Sequence, residues 1–143
     1  MSNEIVTIHS NNRDIRIPCN YLRIHSKRAG VPEEIVNMCE LALQELLTNL
    51  VEHAYAGDPN KLIKVVFSIT PEKITIQTYD TGIPARMNLN HVRMPSPDEL
   101  AEGGYGIAII QSVMDEVNYF TLNGTNTWEL VKNLKQRIRI TDK

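Results

Sequence analysis

Between Leu43 and Tyr55 the chain reads LQELLTNLVEHAY, which sets a carboxylate (Glu45), a carboxamide (Asn49) and an imidazole (His53) four residues apart in turn. On a helix that spacing stacks all three on one face, while Leu46, Leu47 and Leu50 fall on neighbouring faces and anchor the helix in a core. A carboxamide oxygen can ligate Mg²⁺, a cation that prefers oxygen and keeps several waters, without adding a charge that repels phosphate. A carboxylate one turn away can orient a hydroxyl or a water and take its proton. Taken alone, Glu-x-x-x-Asn is explained better by a solvated helix face.

Two further motifs carry chemistry of a matching kind. Asp80-Thr81-Gly82-Ile83-Pro84 closes a β-rich run. An Asp at a strand end can accept a hydrogen bond from an exocyclic amine, and a glycine lets a planar base approach the backbone. Asp and Gly also dominate plain turns. Gly103-Gly104-Tyr105-Gly106 leads into the helical run Ile107 to Val113. Bared N–H groups at a helix N-terminus make a cradle for phosphate, although a hinge uses the same residues. The pattern GxxxxGK[ST] is absent and the glycines do not follow a strand in a strand–helix–strand unit. Neither a Walker loop nor a dinucleotide fingerprint applies.

These motifs need elements to hold them. Glu4 to His9 alternates as a half-buried strand does, and Ser10 to Asp14 is a polar break. Pro18 suits the first turn of a short helix, from about Pro18 to Ala29, that ends on Gly30. Val31-Pro32-Glu33-Glu34 opens a long helix, expected to run unbroken to about Tyr55. Leu62 to Ile69 and Lys73 to Tyr79 form a hairpin around Thr70-Pro71-Glu72, and Val117 to Leu122 and Thr127 to Leu134 a second around Asn123-Gly124-Thr125. Between Ala85 and Gly103 there is no clear period, and stretches of that length in compact domains are usually functional lids or disordered. The order predicts a helical layer on one face of a mostly antiparallel sheet, an α+β two-layer sandwich.

The 143 residues suit one domain with a real core, and 42% hydrophobic with 22% charged residues is an ordinary globular composition. A net charge of -2 argues against binding nucleic acid or an anionic membrane by bulk electrostatics. No apolar run approaches the ~20 residues that span a bilayer, and MSNEIVTIHS lacks the layout of a signal peptide. Cys19 and Cys39 have no ligand spacing, so neither zinc nor a disulfide framework is indicated and a reducing cytoplasm is the expected setting.

Glu-x-x-x-Asn on a helix, strand-Asp-x-Gly-x-Pro, an irregular stretch and Gly-Gly-x-Gly before a helix, in that order, resemble the Bergerat-type ATP-binding fold. Sensor histidine kinases, gyrase-type topoisomerases and heat-shock chaperones share this histidine-kinase-like ATPase fold. Within it the chain most resembles the bacterial anti-sigma-factor serine kinases of the RsbW/SpoIIAB type. The match is closest at ELLTNLVEHAY, YDTGIP and LAEGGYGIAIIQSVMDEVNY, and extends from the first strand to about Leu134.

The resemblance implies a single ATP-binding domain over 1–143, with an ATP lid over about 83–104 and a basic tail over about 135–143. It implies Glu45 as catalytic base, Asn49 as the Mg²⁺ ligand, Asp80 as reader of the adenine amino group and Gly82 beneath the base. Gly103, Gly104 and Gly106 match the phosphate-side loop, and Arg86 and Arg93 could reach phosphates from the lid. His53 is expected to pack or orient the motif helix, and Cys39 to sit in the core. Family members bind a sigma factor and phosphorylate a serine on a STAS-domain anti-anti-sigma protein, and they form homodimers. That implies ATP and Mg²⁺ as cofactors and no direct contact with nucleic acid or membrane. The polar N-terminal region around Pro18 departs from the pattern and points to a different partner if it serves partner contact. Two other readings stand beside this one: a sigma-binding switch protein with little kinase activity, and a detached histidine-kinase ATPase domain.

Overall fold

The computed structural model describes residues 3–85 and 106–134. Five strands, β1 (Glu4–His9), β2 (Leu62–Ile69), β3 (Lys73–Asp80), β4 (Glu116–Leu122) and β5 (Thr125–Asn133), form one sheet in the order β1-β2-β3-β5-β4. Every neighbouring pair is antiparallel. The helices α1 (Arg16–Arg28), α2 (Glu33–Asn49) and α3 (Gly106–Val113) cover one face. Inward side chains such as Ile63, Val65, Phe67, Ile76, Trp128 and Leu130 form the core with Leu22, Leu43, Leu46, Leu47 and Ile110. On the opposite face Ile5, Leu62, Phe120 and Leu122 remain exposed. The two-layer α+β sandwich expected from the sequence is the observed architecture.

Local chemistry accounts for the boundaries. The Asn11 side chain accepts the Asp14 N–H at 2.8 Å and caps a short 3₁₀ turn (Asn12–Ile15) that runs directly into α1. Pro18 therefore falls in the first turn, where its missing N–H has no helical partner to lose. Gly30, at φ +86°, takes the left-handed C-cap position, and Val31 N–H reaches back to the Ser26 carbonyl at 3.0 Å. The Arg23 guanidinium ties α1 to α2 through Glu33, Asn37 and Glu40. Asn123 and Gly124, at φ +53° and +82°, make the two-residue turn between β4 and β5, so β5 starts at Thr125, two residues earlier than its apolar pattern suggests.

Two features decide where the functional residues end up. In β3 the inward row is Ile74, Ile76, Thr78, Asp80, because alternate residues face the helices. Asp80 is thus drawn into the buried layer at the point where the strand's apolar row ends. The second feature is a correction to the expected helix. α2 stops being α-helical at Asn49, and Leu50–Ala54 form a π turn closed by Tyr55 N–H on the Leu50 carbonyl at 2.9 Å. Single π turns of this kind are frequent at functional sites.

Candidate functional site

Asn49, at the last α-helical position of α2, and Asp80, at the last position of β3, line one cleft of about 340 Å³. Leu50, Ala54, Ile83 and Trp128 give it apolar walls, and His53, Tyr119 and Asn126 complete its polar lining. That volume and that mixture suit a small organic ligand, oriented by a few convergent polar groups.

The floor is held from three elements. The π turn leaves the Ala54 carbonyl without a helical partner, and it accepts the Ile83 N–H at 2.7 Å. Gly82 lies so close that a Cβ there would fall on the Ala54 carbonyl, well inside contact distance. The expected role of Gly82, close approach of backbone, is seen here as helix-end backbone against loop backbone. Tyr55, the residue that closes the π turn, donates its hydroxyl to the Leu62 carbonyl at 2.7 Å and accepts the Thr81 N–H at 2.9 Å. One buried phenol therefore joins the end of the motif helix, the start of β2 and the loop after β3.

Asp80 is 2% exposed. Its Oδ1 accepts the Gly82 N–H at 2.9 Å and Asn126 Nδ2 at 2.8 Å. Its Oδ2 is buried and has no partner among the described residues. Burial pushes the Asp80 carboxyl above its ordinary pKa, and the bonds from Asn126 and Gly82 oppose that shift. A buried, unpartnered carboxylate oxygen is costly, and a donor supplied by a ligand relieves the cost. The residues thus fit a heterocycle that carries an amino group.

Glu45 lies one turn before Asn49, half-buried, and does not line the described part of the cleft. It meets the start of α3 instead: a Cβ on Gly106 would sit 3.2 Å from Glu45 Oε1. Glu45 and Gly106, read from separate motifs, are therefore neighbours. Among the described residues no group of three or more His, Cys, Asp or Glu could hold a metal by itself. The Asn49 carboxamide, unlike that of Asn126 not hydrogen-bonded to any described residue, suits Mg²⁺ whose other ligands are phosphate oxygens and water.

His53 is exposed and lines the cleft together with Asn49, the residue one turn before it on the same face, and so does not pack into the core. Gly103, Gly104, Arg86, Arg93, all but the first three residues of the 83–104 segment, and the tail over 135–143 lie outside the described residues. Cys19 and Cys39 are buried free thiols, both pushed up to about 12 mainly by burial, as core residues should be. Sequence reasoning missed Tyr55, Tyr119 and Asn126. Tyr55 was legible as the last residue of the motif, whereas Asn126 is marked only by its register opposite Asp80.

The antiparallel sheet with helices on one face, and the acceptor-lined cleft between the motif helix and the end of a strand, have the form of a single-domain ligand-binding sandwich. The model of the histidine kinase-like ATPase domain matches residues 8–132, and the chain belongs to that family. Within it the chain is similar to the serine-protein kinase RsbW of Staphylococcus aureus (strain JH9), 31% identical over 116 residues that cover 76% of this chain and 72% of the relative. Among solved structures it resembles the RsbU and RsbW domains of a Mycobacterium tuberculosis protein, with TM-score 0.67, 18% identity and 92% of this chain covered. The chain spans only 32% of that longer protein. It also resembles the SiaB–SiaC complex structure from Pseudomonas aeruginosa, with TM-score 0.62 at 10% identity over 91% of this chain and 89% of that one. At such identities the structural likenesses establish the fold alone. No helix among the described residues is long and apolar enough to cross a membrane.

Proposed function

We propose that this protein is an ATP-dependent protein serine kinase that also binds a sigma factor, and that its phosphate acceptor is a serine on a STAS-type anti-anti-sigma protein. The observation that carries the reading is the pairing, in one cleft, of the unpartnered Asp80 Oδ2 with the Asn49 carboxamide, in a chain of RsbW-like sequence.

Bound ATP supplies the phosphoryl group, and Mg²⁺ offsets the phosphate charge. The chain's residues do the rest. Asp80 accepts the adenine amino group, and Leu50, Ile83 and Trp128 shelter the ring from water. Asn49 offers its carboxamide oxygen to the metal without adding charge. Gly106 would offer its N–H to the phosphates, the role the sequence assigns also to Gly103 and Gly104. Glu45, beside Gly106 at the start of α3, accepts the proton of the serine hydroxyl. Positioning and charge neutralisation account for most of the acceleration in reactions of this class. In this reading the protein works as a cytoplasmic homodimer.

A second reading, a sigma-binding switch with little kinase activity, is favoured by one feature: among the described residues no hydrogen bond holds the Glu45 carboxylate. Labelled ATP separates the two. The kinase reading expects acid-stable phosphoserine on a STAS partner and its loss in Glu45→Gln. Tight sigma binding with no transfer to any STAS partner favours the switch, and phosphohistidine would instead mark a histidine-kinase domain.

A further inference from the structure

We infer that Asn126 is the specificity-determining positioning residue of this cleft: its amide saturates one oxygen of Asp80 and so leaves only the other to read the ligand's ring edge. The inference rests on the nucleotide reading above.

Asn126 is 2% exposed and lies directly opposite Asp80 across the β3–β5 pair. Its Nδ2 donates to Asp80 Oδ1 at 2.8 Å and to the Gly82 carbonyl at 3.0 Å. Its Oδ1 accepts from Thr121 Oγ1 at 2.9 Å and from the Tyr119 hydroxyl at 3.4 Å. A flipped amide would set its oxygen against a carboxylate and a carbonyl, neither of which can donate, so chemistry fixes the orientation. The relay extends outward with each hydroxyl donating once. Ala85 N–H donates to the Tyr119 hydroxyl at 2.8 Å, and Tyr119 and Thr121 hydroxyls lie 3.1 Å apart. It ends on Asp80 Oδ1, which also takes the Gly82 N–H.

With Oδ1 committed, Oδ2 is the oxygen of the Asp80 carboxylate left unpartnered among the described residues. An acceptor-only oxygen at a ring edge bonds the exocyclic amine of adenine and is repelled by the carbonyl that hypoxanthine carries at the same place. Asn126 therefore sets base choice without touching the base. Asp80 shares the cleft with Asn126 of β5, Tyr119 of β4 and His53 of the π turn, whereas Lys64, over the ring of its partner Tyr79, lies on the other face of the sheet. None of these makes an ion pair with Asp80 among the described residues. Burial disfavours the ionised carboxylate, and the two N–H donors on Oδ1 oppose that push by favouring the charged, accepting form.

Calorimetric titration of the full chain with ADP and with IDP, from pH 5.5 to 8.5, tests the inference. Wild type should prefer ADP by about 100-fold, since a site built for an amine rejects the analogue that lacks it. Its ADP affinity should fall as the pH drops and Asp80 takes up a proton. In Asn126→Leu the preference should shrink to about fivefold or less, and the loss of ADP binding should begin at higher pH. Asn126→Asp keeps the side-chain shape, and two facing carboxyls share one proton. Its ADP binding should strengthen as the pH falls from 8 to 6, the reverse of wild type. Should melting curves show Asn126→Leu unfolded, the slope of Asn126→Asp decides. Wild-type base preference and pH slope in the folded variants overturn the inference alone. A wild-type protein that binds neither nucleotide overturns the nucleotide reading and the inference with it.

Discussion

At the Asp80 end of the cleft all but one of the facing polar atoms of Asp80, Asn126, Gly82 and Tyr119 are bonded to another described residue, and the exception is Asp80 Oδ2. At the Asn49 and Glu45 end, no hydrogen bond among the described residues fixes either side chain, and the chief constraint is Gly106 against Glu45. In the proposed reading the first end is a finished receptor for one ring edge. The second is then a set of groups whose partners arrive with the ligand. Recognition benefits from a rigid acceptor already desolvated, whereas a base and a metal ligand must meet phosphate and an incoming hydroxyl.

The contrast predicts that substitutions at the two ends fail differently. The largest effect belongs to the open end: Glu45→Gln should lower phosphate transfer by about 10³-fold while ADP affinity stays within about twofold, read by labelled transfer and calorimetry. Loss of affinity in step with transfer would show that Glu45 holds structure rather than a proton. At the finished end Gly82→Ala should damage fold and binding together, because the added methyl meets the Ala54 carbonyl held by Ile83 N–H. A cost of about 3 kcal/mol, or roughly 8 °C in Tm by thermal melting, is expected. Tyr55→Phe is a smaller break in the same scaffold. It leaves the Leu62 carbonyl and the Thr81 N–H short of a partner, for about 1 to 2 kcal/mol and a modest loss of ADP affinity. If Tyr55→Phe melted like wild type, the phenol would not be the joint described here.

Much of this was legible because local signals and the fold agree. Glu4–His9 and Leu62–Ile69 alternate or carry β-branched residues as strands do, and their observed limits match that pattern. Gly30 ends α1 where only a left-handed residue fits. The pairing of Asn49 with Asp80 was legible from motif order and resemblance. What escaped is non-local or depends on subtle backbone geometry. Asn126 acquires its role only through strand register, which places Thr127 and Tyr79 on one face and Asn126 with Asp80 on the other. The π turn has no composition of its own, since LVEHA is a sound helix sequence.

The most direct test of the central claim, that Asp80 is spent on a ligand rather than on the fold, compares Asp80→Asn with wild type for ADP affinity and Tm at pH 7. A carboxyl whose folded pKa is raised by burial costs stability above that pKa, and the cost is absent below the unfolded value. Asp80→Asn should therefore lose about 100-fold in ADP affinity, while its Tm rises by about 1 to 3 °C at pH 7 and this gain shrinks toward pH 4. Unchanged ADP affinity, or a lost affinity that merely tracks a fallen Tm, would contradict the account.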